Sequence, residues 1–158
     1  MNILMDDHRQ LLLSLLNNNV SFILIGGYAV IYYGYERITG DMDIWLQPDN
    51  ENRNKLLNAL KDFGIEESDL EKLEKTDFTV PQVFYIGAKP RRIDFLTKVS
   101  GISFSEAISQ VNYFQLQDKQ VPVIQYHHLI LTKITTGRAK DKADIEELER
   151  INKYRKEK

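Results

Sequence analysis

The chain contains no cysteine. Disulfide bridges, thiol nucleophiles and cysteine-bound metals are therefore excluded together. Histidine is nearly as scarce, with three residues in all, two of them the adjacent pair His127 and His128. Neighbours in a helix do not face the same way, and no third ligand is spaced to join them, so the pair reads as structural. No charge of one sign dominates, because 21 basic and 23 acidic residues leave a formal net charge of −2. That balance rules out a protein-wide basic field drawing the chain to nucleic acid or membrane, and any such partner would need a local patch. Long apolar runs are missing as well. The longest, "VSFILIGGYAVIYYGY" at 20–35, is interrupted by three glycines and falls short of the roughly 20 residues of a membrane span. The N-terminal "MNILMDDHRQ" lacks the basic start, apolar centre and cleavage site of a secretion signal. The expectation is a cytoplasmic protein with no membrane partner.

What remains is an ordinary globular mixture, 42% hydrophobic and 28% charged over 158 residues, and that length predicts one domain, 1–158. Leu11, Leu12, Leu15 and Leu16 form one stripe of a first helix, which "NNN" at 17–19 should end. "VSFILI" (20–25) reads as a buried strand, and Gly26 and Gly27 lead from it into a helix over "YAVIYYGY". "DMDIWL" (41–46) alternates as a second strand. Pro48-Asp49 opens a helix carrying Leu56, Leu57, Leu60 and Phe63, and Gly64 stops it. The acidic stretch 65–77 reads as a solvated helix or loop. "PQVFYIG" (81–87) and "RRIDFLT" (91–97) predict a hairpin turning at "AKP". Ser103 and Glu106 have capping-box spacing, a hairpin is expected around "QDKQ" (117–120), and two helices, about 126–136 and 141–154, close the chain around Gly137. Strands and helices alternating in this way predict an α/β or α+β fold, a small mixed sheet flanked by helices, with a core at about 20–97 and a C-terminal hairpin and helices at about 102–154.

Asp41 and Asp43 are the anomaly in this pattern. Residues i and i+2 of a strand point to one side, so these carboxylates project together while Met42 and Ile44 face the core. Two ionised carboxylates that close repel unless a cation sits between them. Oxygen ligands without histidine or cysteine favour Mg²⁺ or Mn²⁺ over zinc. A D-x-D alone is more often a solvated strand start, but two further features count. "IGG" puts a backbone without Cβ at a helix N-terminus, where free N–H groups can receive a phosphate. Asp94 lies among Ile93, Phe95 and Leu96 in an expected buried strand and needs a partner, either a shared metal or an ion pair with Arg91 or Arg92.

The order "IGG", "DMDI", "RIDF" resembles the nucleotidyltransferase superfamily typified by DNA polymerase beta, over about residues 20–97. "RITGDMD" is also similar to the R-x-[ST]-x-D-x-D block of the abortive-infection toxin-type enzymes, and Gly27 stands where many members carry serine. The resemblance implies metal-dependent transfer of a nucleoside monophosphate from a nucleoside triphosphate to a hydroxyl of RNA, protein or a small molecule. Asp41, Asp43 and Asp94 would be catalytic and hold the metals. Gly26, Gly27 and the amide of Tyr28 would cradle phosphates, with Thr39 also on the nucleotide side and Arg37 either clamping a phosphate or held in a surface ion pair. Tyr28, Tyr32, Tyr33 and Tyr35 read as filling the core and its edges, although Tyr28 also stands where a base could stack. Toxin-type relatives further imply a toxin or antitoxin partner. The competing reading is a non-catalytic nucleotide- or partner-binding module; a structural Ca²⁺ site at "TGDMD" lacks an EF-hand-like loop.

The C-terminal helices add a separate clue. On a helical wheel Lys133 falls between Tyr126, Leu129 and Ile130, and Asp144 between Leu148 and Ile151. The two either pair with each other or Lys133 reaches a phosphate. "LTKITTGRAKDKADIEEL" resembles the later motifs of the same toxin-type enzymes, which implies Lys133 for triphosphate binding and Arg138, Asp141 and Asp144 as further candidates. Lys89, Arg91 and Arg92 form a local basic cluster, read first as a solvated hairpin tip and otherwise as a contact to an RNA backbone or a second phosphate.

Overall fold

The computed structural model describes residues 6–157; the first five residues and Lys158, which belong to the N-terminal reading and the 1–158 span, lie outside it. The first helix, α1 (Asp6–Asn17), buries Leu11, Leu12 and Leu15 completely. Asn19 turns the chain at φ 57, a conformation asparagine tolerates better than most residues. Strand β1 (Phe22–Ile25) runs directly into α2 (Gly26–Tyr32). Strand β2 (Met42–Leu46) returns antiparallel beside β1. The expected helix after Pro48 is α3 (Asn50–Phe63), whose N-cap Asp49 accepts the Asn52 amide at 2.7 Å and whose end is Gly64 at φ 104. The acidic stretch folds as α4 (Glu67–Glu74).

The hairpin β3 (Val83–Ile86) and β4 (Ile93–Leu96) follows, then α5 (Phe104–Ile108), the hairpin β5 (Asn112–Leu116) and β6 (Lys119–Val123), and the helices α6 (Tyr126–Thr136) and α7 (Ala139–Glu157). Ser103 caps α5 by accepting the Glu106 amide at 3.2 Å, and Gly137 ends α6 at φ 65. The six strands form one mixed sheet in the order β3-β4-β2-β1-β6-β5. β4 lies parallel to β2, and β6 parallel to β1. The fold is thus α+β, a mixed sheet flanked by seven helices among the described residues.

Alternation gives the sheet two different faces. Phe22, Leu24, Met42, Ile44, Ile93 and Phe95 point to one, where they join a buried cluster with the leucines of α1 and α3. Asn52, 3% exposed, is the polar clamp beneath it. Its side chain accepts the Ser21 amide at 2.8 Å and donates to the Ser21 and Gln47 carbonyls at 2.9 and 3.2 Å, fixing the outer ends of β1 and β2. The other face is apolar at one end, where Trp45 meets Phe104 of α5 edge-on at 5.4 Å. At its opposite end stand the carboxylates.

Candidate active site

Strand register assembles the site. Ile25 pairs with Asp43, Asp43 with Asp94, and Asp94 with Tyr85 across β1, β2, β4 and β3. Directly paired residues share a face, and neighbouring strands lie about 5 Å apart. Two aspartates 51 positions apart in the chain are therefore neighbours on the sheet. Asp41 sits just before β2, its Oδ1 accepting the Arg92 amide at 3.0 Å and its Oδ2 4.0 Å from Lys89 Nζ. All three carboxylates line one polar cleft of about 420 Å³ together with Gly26, Gly27, Thr39 and Lys133. Larger hollows of about 570 and 500 Å³ lie against Trp45 and beside α4, and neither is lined by these aspartates.

The electrostatics single out Asp43. Burial, followed by the nearby charges of Asp94 and Asp41, pushes its carboxyl up to about 6, against a smaller opposing pull from Lys140 and Arg138. Asp94 is instead compensated by Arg92. The guanidinium Nε stands 2.6 Å from Asp94 Oδ1, and Nη2 donates to Oδ2 at 3.2 Å. Of the two arginines read as possible partners, Arg92 fills the role; Arg91 pairs with Asp7 at 3.0 Å.

The glycine turn is shaped by these neighbours. Gly26 has φ 69, and a Cβ there would lie 2.8 Å from Asp43 Cγ, so the carboxylate occupies the volume a side chain would need. At Gly27 a Cβ would come within 2.9 Å of Thr39 Cβ and closer still to its hydroxyl. The room that a serine would take is filled by Thr39, whose Oγ1 donates to the Asp41 carbonyl at 3.3 Å. Ile25, the N-cap of α2, supplies no side-chain cap. The Tyr28 amide lies in this first turn, but its ring does not face the cleft. It is 1% exposed, and its hydroxyl lies 2.8 Å from Nδ1 of the buried His8. Of the two readings of Tyr28, the core one holds: the ring is buried, and His8, also 3.1 Å from the Arg91 carbonyl, links it to the β3–β4 turn.

A buried ion network forms the opposite wall. Lys133 Nζ donates to Asp144 Oδ2 at 2.8 Å and Asp141 Oδ1 at 3.3 Å. Arg37 Nη2 donates to Asp144 Oδ2 at 3.2 Å, with 15% of its side chain exposed, so Arg37 and Lys133 are both committed to Asp144. Burial raises the Asp141 carboxyl, but hydrogen bonds from Arg138 and Thr136 and the charge of Lys133 overcome this and hold it well below the usual carboxylate range. Arg138 remains 70% exposed over the cleft. Lys140, also lining it, was not signalled by the sequence, where nothing separates it from Lys142.

Among the described residues no three acidic or histidine side chains already converge as a ready coordination group. Asp94 and Asp41 are turned towards basic and amide partners instead. The donor set nevertheless fits a hard divalent cation: three carboxylates share the cleft, and the mutual repulsion felt at Asp43 is what such a cation relieves.

A strand-end glycine turn thus stands beside aspartates on two adjacent parallel strands. Residues 4–158 match the family described as "Nucleotidyl transferase of unknown function (DUF2204)", and the chain belongs to that family. No curated protein matches it. No helix among the described residues is long and apolar enough to cross a membrane.

Proposed function

We propose that the chain transfers a nucleoside monophosphate from a nucleoside triphosphate to an acceptor hydroxyl. The observation that carries this reading is the pairing of Asp43 with Asp94 in one cleft with Asp41 and the Gly26–Gly27 turn. Asp41, Asp43 and Asp94 would hold Mg²⁺ or Mn²⁺, which when bound supplies positive charge that lowers the acceptor hydroxyl's pKa and neutralises the leaving pyrophosphate. The chain's own residues do the rest. Asp94, nearest the open edge of the sheet, orients the acceptor hydroxyl and takes its proton as the new oxygen–phosphorus bond forms and the bond to pyrophosphate breaks. The amides of the glycine turn face the phosphates, and Thr39 offers the hydroxyl that Gly27 lacks. Arg138, Lys140 and Lys133 balance the triphosphate charge from the opposite wall, where Lys133 is already oriented by two aspartates.

The motifs "RITGDMD" and "LTKITTGRAKDKADIEEL" support the finer reading, a member of a toxin–antitoxin or phage-defence pair acting with a partner protein. The test is incubation of the protein with each α-labelled triphosphate, Mg²⁺ and cell lysate. Label should appear on one macromolecular class with the wild type and be absent with Asp41→Asn plus Asp43→Asn. Nucleotide binding without label on any acceptor would defeat the transfer and leave a binding module.

A further inference from the structure

The row of paired residues that holds the carboxylates ends on an exposed aromatic ring. Tyr85, directly across from Asp94 on the edge strand β3, is 62% exposed, and Val83 on the same face is 79% exposed. A tyrosine and a valine thus stand exposed on a sheet face one strand from the proposed chemistry. The ring is held by Arg92, whose guanidinium carbon lies 4.7 Å from its centroid. One arginine thus neutralises Asp94 and supports Tyr85 through a cation–π contact. Basic side chains flank this strip. Lys89, 69% exposed, stands at the β3–β4 turn. Lys98 extends the Asp94–Leu96 alternation past the other end of β4, is exposed, and lines a groove of about 290 Å³ that also contains Asp43.

An aromatic platform between lysines suits one ligand chemistry. Every base offers a π-face for stacking, and the lysine on the side to which the strand runs meets its backbone phosphates. A protein carrying −2 overall attracts a polyanion only through such a local arrangement. We infer that the Tyr85–Arg92 pair is the docking platform for the terminal base of a single-stranded nucleic acid, whose end presents the acceptor hydroxyl to Asp94. This inference rests on the transfer reading above and names its acceptor class.

The test is fluorescence anisotropy with labelled single-stranded RNA and DNA 12-mers (about that length spans one site), run beside calorimetry of a magnesium nucleotide on the same preparations. Tyr85→Ala should weaken oligonucleotide binding roughly fivefold or more, with Tyr85→Phe restoring it, because stacking needs the ring and not the hydroxyl. Lys98→Ala should lower the salt slope by about 0.7. Nucleotide affinity should be the same for wild type and Tyr85→Ala. Loss of nucleotide affinity in Tyr85→Ala would assign the ring to the incoming nucleotide and overturn the inference. Unchanged oligonucleotide binding in that variant would do the same and turn attention to a polypeptide on the β3 edge. Nucleotide binding with no oligonucleotide binding by the wild type would remove the platform and leave transfer standing. Oligonucleotide binding without nucleotide binding would overturn the acceptor role along with the transfer reading.

Discussion

At the scale of single residues, the site is built against stability. Asp43 is raised by burial and by two neighbouring carboxylates, so its charge at neutral pH costs folding free energy. The sign follows from linkage. A carboxyl whose folded value, about 6, exceeds its unfolded value binds protons more tightly when folded, so its cost is full above the folded value and fades as pH falls towards the unfolded one. The shift corresponds to a cost on the order of 3 kcal/mol. Asp43→Asn should therefore raise the melting temperature by a few degrees at pH 7.5 and by less at pH 5, measured by thermal unfolding; a lower melting temperature at pH 7.5 would contradict this. Gly27 gives a second prediction. Serine there meets Thr39, so Gly27→Ser should cost about 1–3 kcal/mol in denaturant unfolding. Adding Thr39→Ala, which removes the nearest atom, should recover part of the loss, whereas additive effects would show that the two positions do not touch.

At the scale of elements, α6 and α7 are joined to the sheet through one buried network. Lys133 is 7%, Asp141 1% and Asp144 2% exposed, and Arg37 of the α2–β2 loop completes the set. Removing the lysine takes one partner from each of two buried carboxylates, which keep Arg138 and Arg37, so Lys133→Ala should destabilise the fold by about 1–3 kcal/mol. Loss of less than about 1 kcal/mol in chemical unfolding would mean water already solvates the network. Much of this was legible beforehand. The wheel positions of Lys133 and Asp144 demanded compensation, and each was close enough in sequence to be the other's partner. Arg37 was not legible in that role, because nothing local connects it to a helix more than a hundred residues later. Likewise, Asp49 and Gly64 marked the ends of α3 through short-range capping chemistry. The buried clamp at Asn52 had no such signal, since its partners, Ser21 and Gln47, come from two other elements.

At the scale of the whole molecule, the sheet order determines which acidic residues meet. Strand alternation was sufficient to predict that Asp41 and Asp43 project together, but only the parallel pairing of β2 with β4 brings Asp94 beside them. That pairing is long-range, and the sequence hinted at it through the family-like order of motifs rather than through periodicity. Tyr28 was legible as a core residue, whereas its partner, the buried His8 of α1, had no local signal. The assembled cleft carries cations on two walls and carboxylates on its floor, an arrangement that accepts an anionic ligand together with a divalent ion. Calorimetric titration of ATP, GTP, CTP and UTP, each with and without Mg²⁺, measures this directly. The account predicts that at least one triphosphate binds only with Mg²⁺, and that Asp41→Asn plus Asp43→Asn abolishes this binding while the protein stays folded; binding indifferent to both the metal and the two aspartates would contradict it.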